Sequence, residues 1–477
     1  MEIKAFDVGS TFTKVNSYRL ENGRLEWLAR AQAPTTVEDI RVGLEAALRN
    51  LPGSLRLDDL AGQQVLASSS AAGGLRMVAI GYMPRVTAKA ALEVAMNAGA
   101  RVLEVLSEED TPAYRREVLL EIKPDIVLLT GGTDGGDTAA IIQNARLLAA
   151  LKLPAVVIIA GNSQSQAEVA AILAAAGIRC RRVANVMPTI HELRVQPARE
   201  AIHGEFIRQI TRAPGLRYLE ELVAGGKVIP TPGAVLMGAE LLARGHYEEK
   251  GLGSLIVIDL GGATTDVHSV IPELAELPLE ERGLILTNEK QVAYRTVEGN
   301  LGLRVSCRGV VETVGPRQVL LRAGVAINDE QEKRLLAYCS RAEEQTETLA
   351  GNDEERHFDR GLAIAAMETA LKRHAGSLSQ EYDPVLGIAP GTPTGRDLRG
   401  IQHIIAVGGI FTALPEEEAR AIVREALANR GISLLPENPE IIIDRHYLLY
   451  SLGLLALHYP YETLHFARQY FTSQHGN

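Results

Sequence analysis

Cysteine is nearly absent from this 477-residue chain: three residues, Cys180, Cys307 and Cys339, stand far apart. They cannot all pair and form no CxxC motif, which excludes a disulfide framework and a cysteine-built metal or redox site and fits a reducing compartment. Each is expected to be a small buried apolar residue. Aromatics make up only 4% of the residues, with Trp27 the one tryptophan. Ala, Leu, Val and Ile dominate instead, which disfavours all-β classes and points to parallel strands under packed helices. Long apolar runs are missing too; the longest, such as Tyr447 to Leu457, are too short to span a bilayer. The first strand is predicted to begin at Ile3, leaving no charged and apolar leader, so the expected location is the cytoplasm. Positive charge is in deficit: 49 Lys and Arg against 59 Asp and Glu give a net charge of −10. That field repels nucleic acid and anionic membranes, and neither is an expected partner. The eleven histidines show no HExxH or other metal-ligand spacing. His191, His203 and His268 are expected to be ordinary surface or core residues.

What is present is the balance of a soluble globular protein, 46% apolar and 23% charged, with length for two to four domains. Ile3 to Val8 reads as a strand, and Val15 to Leu20 as its hairpin partner. Val65 to Ser68 reads as another strand, and Ser69 to Gly74 as a glycine-rich loop. An alanine-rich helix is predicted over Thr87 to Ala98. Then come a strand (Asp125 to Thr130), a helix (Thr138 to Leu151), a strand (Ala155 to Ala160), a helix (Gln164 to Ala176) and a strand (Arg179 to Val186). Such βαβαβ alternation indicates a parallel-sheet module of its own. After Pro230 and Pro232 a helix rich in small residues, Gly233 to Leu242, has the composition to lie close against another backbone. Glu248 to Ser254 is a polar boundary. Leu255 to Leu260 is a fully apolar strand, Ala342 to Arg356 a charged and exposed helix or loop, and Ile401 to Val407 the last clear strand. Arg445 to Leu457 reads as a closing helix interrupted at Gly453.

Two strand ends, 252 residues apart, share one chemical layout: Asp7 to Lys14 (DVGSTFTK) and Asp259 to Asp266 (DLGGATTD). An Asp at the strand's end, with Gly two residues on, leaves a carboxylate at the sheet edge while the bare turn can approach an anion. Ser10, Thr11, Thr13, Thr264 and Thr265 carry hydroxyls that can donate to phosphate oxygens, and Lys14 adds positive charge. Two carboxylates facing a triphosphate invite Mg²⁺, which takes oxygen ligands and keeps several waters. Each turn alone is equally a hairpin whose glycines serve positive φ. Their pairing, with a third Gly-Gly strand end at Gly408, favours a nucleotide site.

These residues resemble the actin, heat-shock chaperone and sugar-kinase superfamily, whose phosphate-1, phosphate-2 and adenosine motifs come in this order and spacing. The resemblance implies an α/β, two-lobed actin-like ATPase with ribonuclease H-like domains and an inserted parallel α/β module. It implies that Asp7 and Asp259 hold Mg²⁺ through water, and that Gly9, Ser10, Thr11, Thr13 and Lys14 meet the phosphates of ATP or ADP. Gly261, Gly262, Ala263, Thr264 and Thr265 would take the other side of the tail, and Gly408 and Gly409 would lie against the adenosine. The helices at Gly233 to Leu242 and Tyr447 to Leu457 look like the superfamily's two connecting helices, whose crossing forms the hinge. Lobe I is then expected over 1–84, the inserted module over 85–225, and a connecting helix of lobe I over 226–250. Lobe II follows over 251–440, and a C-terminal helix over 441–477 returns to lobe I.

A closer likeness runs nearly end to end. FDVGSTFTK, SSSAAGGLRM, LLTGGTDGGD, DLGGATTDVHSV and RTVEGNLGLRVS together resemble the GlmL/MutL family, accessory proteins of adenosylcobalamin-dependent glutamate mutase and related aminomutases. This MutL is unrelated to the mismatch-repair protein of that name. By analogy with the reactivases of diol dehydratases, the resemblance implies a slow ATPase that opens a mutase so that damaged cobalamin leaves. The expected chemistry is in-line attack of water on the γ-phosphate, with Mg²⁺ and Lys14 stabilising charge and either Asp259 or Asp266 orienting the water. A small-molecule kinase of the same superfamily, or a non-catalytic nucleotide-binding scaffold, are the alternatives. Three scattered cysteines do not suit the intersubunit iron–sulfur cluster of the superfamily's dehydratase activators. The loop Gly131 to Asp137 is expected to be a tight turn in which Asp134 or Asp137 caps the following helix, in preference to a second anion site. Ser68 to Gly74 lacks a nucleophile elbow and is expected to line the cleft. Glu298 to Gly302 reads equally as a strand-to-helix turn and as a ribose or partner contact.

Overall fold

Extended stretches bounded by turn residues set the first sheet. In the computed structural model, β1 (Glu2–Val8), β2 (Phe12–Glu21) and β3 (Arg24–Pro34) form an antiparallel meander. Its second reversal is Asn22-Gly23, both at positive φ, the pair that a two-residue hairpin demands. The helix α1 (Ile40–Arg49) starts at Asp39, whose carboxylate accepts from the Arg41 amide. β4 (Gln64–Ser69) then pairs parallel with β1. The structure describes the chain except residues 10, 37–38, 71–74, 83–89, 91–93, 95–99, 190–191, 211–215, 224, 227, 273–291, 348, 381, 383–388 and 474–477. Ser10, His191 and nearly all of the helix expected over Thr87 to Ala98 lie outside the described residues.

Ala72–Ala213 is a compact unit of its own. It runs β5 (Leu75–Ile80), β6 (Ala100–Leu106), α2 (Pro112–Ile122), β7 (Ile126–Leu129), α3 (Ala139–Leu151), β8 (Val156–Ile159), α4 (Gln166–Ala175), β9 (Cys180–Arg182) and α5 (Gln196–Ile210). All five strands are parallel, in the order β6-β5-β7-β8-β9. β7 and β8 are buried at every residue, as parallel strands covered on both faces must be. The predicted alternation is therefore present, but the unit starts at Ala72 rather than at residue 85 and ends at Ala213 rather than at 225. β5 is the reason at the first boundary, because it is the strand that pairs with both β6 and β7. At the second, α6 (Leu216–Leu222) packs against α1 and belongs with the other unit.

That other unit comprises Met1–Ala71 and Pro214–Asn477. β10 (Ile229–Pro230) extends the first sheet beside β4, α7 (Thr231–Arg244) follows, and β11 (Gly245–His246) with β12 (Glu249–Lys250) makes a small hairpin. A second meander, β13 (Leu255–Leu260), β14 (Thr265–Val270) and β15 (Ala293–Glu298), leads to α8 (Cys307–Val314), α9 (Pro316–Ala323), α10 (Asp329–Glu344) and α11 (Asp353–His374). Asn328 and Asn352 cap α10 and α11, and α11 carries acids in its first turn and bases in its last, which suits the helix dipole. After the short pair β16 (Ser377–Leu378) and β17 (Pro393–Thr394) come β18 (His403–Val407), α12 (Gly409–Ala413), α13 (Glu416–Ala428), β19 (Glu440–Ile443), α14 (Leu449–Ala456) and α15 (Pro460–Ser473). Cys307 and Cys339 are buried in this lobe's core, as expected, while Cys180 is only half-buried.

The two sheets of this unit repeat one another. Their orders, β10-β4-β1-β2-β3 and β19-β18-β13-β14-β15, match strand for strand, and so do their parallel and antiparallel pairings. This is the two-lobed, actin-like α/β fold that the sequence implies, with a parallel module inserted after the first lobe's β4. Between the lobes α7 crosses α14 with backbones in contact. A Cβ at Gly453 would lie 1.8 Å from the Ala234 carbonyl oxygen, and one at Gly238 2.5 Å from that of Leu449. Gly453 therefore does not interrupt its helix; α14 continues through it, and the missing side chain is what lets the crossing close. Among the described residues no helix is long and apolar enough to cross a membrane.

Candidate functional site

The two aspartate-glycine turns are built alike down to the hydrogen bond. Gly9 N donates to Phe12 O at 3.0 Å and Gly261 N to Thr264 O at 2.9 Å. In each, a Cβ on the glycine would press on that same carbonyl, at 2.7 and 2.9 Å. Asp7 lies opposite Lys14 across one hairpin and Asp259 opposite Asp266 across the other. The turns also face one another: a Cβ at Gly262 would lie 3.8 Å from Thr11 Oγ1.

Asp7 is almost fully buried, and its partners account for that. Oδ2 accepts from Lys14 Nζ at 2.9 Å, while Oδ1 accepts from Ser68 Oγ at 3.1 Å and from Thr231 Oγ1 at 2.5 Å. A buried carboxylate with one cation and two hydroxyl donors is a satisfied one. Ser68 is thus neither a nucleophile nor a cleft lining but a holder of Asp7. The Lys14 ammonium keeps 14% of its side chain exposed and sits 3.9 Å over the ring of Tyr447.

Tyr447 in turn donates its hydroxyl to Asp259 Oδ1 at 2.6 Å. The other oxygen of Asp259 has no hydrogen-bond partner among the described residues. Burial, and then the neighbouring Asp266 carboxylate, push the Asp259 carboxyl up to about 7 from its ordinary 3.8; the Tyr447 hydroxyl and Lys14 oppose the rise and Asp7 adds to it. Asp266 is occupied on both oxygens, by Arg295 Nε at 2.7 Å and by Thr264 Oγ1 at 3.0 Å.

Two of the predicted phosphate hydroxyls face elsewhere. Thr13 is fully buried on the side turned to α1 and pairs with Thr35 Oγ1 at 3.0 Å. Thr265, its counterpart in the second hairpin, is equally buried and donates to Leu301 O at 2.5 Å. Strand alternation is the physical reason: with Lys14 and Asp266 pointing to one face, the residues before them must point to the other. Both threonines bind the framework and are withdrawn as phosphate contacts. Gly408, at φ +146°, would bring a Cβ to 2.3 Å from Leu260 O, whereas nothing lies within 4 Å of a Cβ at Gly409. The first glycine lets β18 end against the second turn, and the second faces open space. Glu298 to Gly302 behaves as a strand-to-helix turn that props the second hairpin: a Cβ at Gly302 would lie 2.4 Å from Gly262 O.

Among the described residues no three His, Cys, Asp or Glu side chains come together as a metal cage. Among the described residues the two turns offer few carboxylates, with an oxygen of Asp259 left without a partner, and oxygen donors of this kind fit a hydrated Mg²⁺. Residues that no local motif reveals complete the arrangement: Ser68, Thr231, Arg295 and Tyr447. Each is brought in by sheet pairing or by the hinge helices from 29 to 224 positions away.

In the other unit, the Gly131 to Asp137 loop is internally tied. Asp137 Oδ2 accepts from the Ala140 amide at 3.0 Å, capping α3, while Asp134 Oδ1 accepts from Ser163 N at 2.9 Å and Asn185 Nδ2 at 3.0 Å. The capping reading holds for Asp137, and Asp134 instead ties neighbouring loops. His268 is fully buried, with no partner for either ring nitrogen among the described residues; the side chain of His203 lies outside the described residues.

The profile of a family described as "MutL protein" matches residues 3–471. "Protein MutL" of Clostridium tetanomorphum is 38% identical over 470 residues, covering 97% of this chain and 98% of that protein. Among solved structures, diol dehydratase-reactivating factor in nucleotide-free form aligns at 11% identity over 96% of this chain and 99% of that one, with a TM-score of 0.34. The activator of the 2-hydroxyisocaproyl-CoA dehydratase from Clostridium difficile, with bound ADPNP, aligns at 11% identity over 98% of both chains, with a TM-score of 0.30.

Proposed function

The chain belongs to the MutL protein family, and on that premise we propose that it binds ATP with Mg²⁺ between the Asp7 and Asp259 turns and hydrolyses it slowly. The change of shape so driven serves an adenosylcobalamin-dependent carbon-skeleton mutase such as glutamate mutase. The observation that carries this reading is the pair of identically hydrogen-bonded turns, each with its Asp at the same register, facing one another at Thr11 and Gly262.

In this reading Lys14 supplies positive charge to the terminal phosphates. The bare backbones of Gly9, Gly261 and Gly262 admit the phosphate oxygens, with Thr11, Ala263 and Thr264 around them. Gly408 and Gly409 flank the adenosine. Mg²⁺ would be held through water by Asp259 and, once the phosphates draw Lys14 away from it, by Asp7, and would neutralise phosphate charge. Asp259 orients the attacking water in preference to Asp266, because one of its oxygens is unclaimed while both oxygens of Asp266 are engaged. The glycine-on-glycine crossing of α7 and α14 is the hinge about which the lobes move.

Calorimetry with ATP in the presence and absence of Mg²⁺, followed by phosphate-release assays with and without a mutase, tests the reading. Asp7→Asn and Asp259→Asn are expected to abolish hydrolysis while circular dichroism stays native. Hydrolysis at the wild-type rate in either variant removes the site assignment, and release that no cobalamin mutase alters removes the partner.

A further inference from the structure

Tyr447 holds a backbone conformation that is rare for a residue with so large a side chain. Its φ is +55°, a left-handed geometry that side-chain-bearing residues rarely adopt. The other non-glycine residues with positive φ, Asn22, Ser54, Lys123, Lys152 and Tyr247, occupy hairpin tips, a loop or helix C-caps, where that geometry is ordinary. Tyr447 closes the turn that follows β19, two residues before α14 begins, where its amide donates to Asp444 O at 3.3 Å, and the chain around it is fastened to make it stay. Asp444 Oδ2 accepts from the amides of Leu448 and Leu449 at 2.6 and 3.0 Å, and Asn16 Nδ2 donates to the Tyr447 carbonyl at 3.3 Å. Three residues on, Tyr450 donates to Ala5 O at 3.0 Å. The backbone is thus anchored on lobe I, while the side chain reaches the lobe II carboxylate. Strain maintained by this many contacts accumulates where a side chain must be aimed.

The aim serves two groups at once. The ring lies 3.9 Å beneath the Lys14 ammonium, and the hydroxyl sits 2.6 Å from Asp259 Oδ1. We propose that Tyr447 is the positioning residue of the site, its ring seating Lys14 and its hydroxyl fixing the rotation of Asp259, so that one side chain sets the phosphate-facing cation of lobe I and the metal-facing carboxylate of lobe II. The proposal rests on the nucleotide reading above. The two limbs are separable: Tyr447→Phe keeps the ring and loses the hydroxyl, and Tyr447→Leu loses both.

ATP affinity is measured by calorimetry with and without Mg²⁺ for the full-length wild type and both variants, with thermal unfolding as the check on folding. In Tyr447→Phe the affinity for metal-free ATP stays within about twofold, while the gain in affinity conferred by Mg²⁺ falls on the order of tenfold, as loss of a hydrogen bond to a charged group implies. In Tyr447→Leu the metal-free affinity falls as well, by about fivefold, through loss of the cation–π seat. A folded Tyr447→Phe protein that retains the full Mg²⁺ gain overturns the proposal, and so does one that loses as much metal-free affinity as the leucine variant, since that is what a merely structural role predicts. Should Tyr447→Leu fail to fold, the phenylalanine variant decides alone. Wild-type protein that binds no ATP at all overturns the functional reading first, and this proposal with it.

Discussion

Asp259 makes the site sensitive to pH in a direction the structure fixes. Its carboxyl is pushed up to about 7, first by burial and next by Asp266 across the ladder. Below that value the free protein holds a proton there; in the proposed nucleotide reading, coordination of hydrated Mg²⁺ needs the carboxylate, so binding of Mg²⁺·ATP would expel the proton. At pH 6 about nine-tenths of a proton leaves per nucleotide bound, and at pH 8 about one-tenth. The affinity accordingly rises about twentyfold between pH 5.5 and 7.5 and is flat above. Folding has the matching sign: the stability contributed by this group is whole at acid pH and is lost as pH climbs from its ordinary 3.8 to about 7. Calorimetry in two buffers of different ionisation enthalpy, repeated from pH 5.5 to 8, reads the protons directly. The nucleotide's own phosphate also titrates in this range, so the decisive quantity is the difference between wild type and Asp259→Asn. If the asparagine variant releases the same number of protons at pH 6, or the wild type releases none, Asp259 is not the group that meets the metal.

Three further outcomes follow from particular contacts. Gly453→Ala drives a methyl into the Ala234 carbonyl oxygen, 1.8 Å from the Cβ position, and is expected to cost at least about 1–3 kcal/mol in urea unfolding; an unchanged midpoint would mean that the helices do not touch there. Thr13→Val breaks the buried pair with Thr35 and should cost about 1 kcal/mol of stability while leaving ATP affinity within about twofold; a large loss of affinity would return Thr13 to the phosphate site. His268, buried with both ring nitrogens unpartnered among the described residues, has its pKa held well below 6.5, first by burial and then by Arg295. Its unfolded form takes up a proton below 6.5 and its folded form does not, so stability is lost as pH falls through that value. His268→Leu should remove this loss, gaining about 1.4 kcal/mol over wild type at pH 5.5 relative to pH 8, as read from paired thermal melts.

The sequence exposes features that depend on neighbours along the chain. Both aspartate turns, the strand Leu255 to Leu260 and the alternation of the inserted module are visible because an apolar run followed by Gly or Asp fixes its own conformation. Gly453, by contrast, reads as a break, because helix propensity penalises glycine and the crossing partner that requires it lies some 200 residues away. β5 escapes notice because the glycine-rich stretch before it dominates the local pattern, and its role becomes plain only when it pairs on both sides. The two threonines are misassigned for a related reason. A motif names residue types, but whether a hydroxyl faces the cleft is decided by strand parity, and Thr13 and Thr265 have the wrong parity. Tyr447, Ser68, Thr231 and Arg295 carry no local signal at all, since each acts on a carboxylate supplied by another element.

The duplication also explains why the two lobes are not interchangeable. The hairpins share their Asp, their turn glycine and their buried threonine, and they diverge in sign at the eighth position, where Lys14 corresponds to Asp266. With lysine there, the first hairpin neutralises its own aspartate, and Asp7 is closed off by Lys14, Ser68 and Thr231. With aspartate there, the second hairpin carries two like charges and must import Arg295 from β15, which satisfies Asp266 and leaves Asp259 dependent on a single hydroxyl. One difference of charge therefore leaves lobe I with a settled ion pair and lobe II with an unsettled carboxylate. A cation arriving with a triphosphate would be drawn to the second, while the phosphates compete with Asp7 for the lysine of the first. Two copies of one hairpin design thus acquire opposite electrostatic characters through the change of charge at their eighth position.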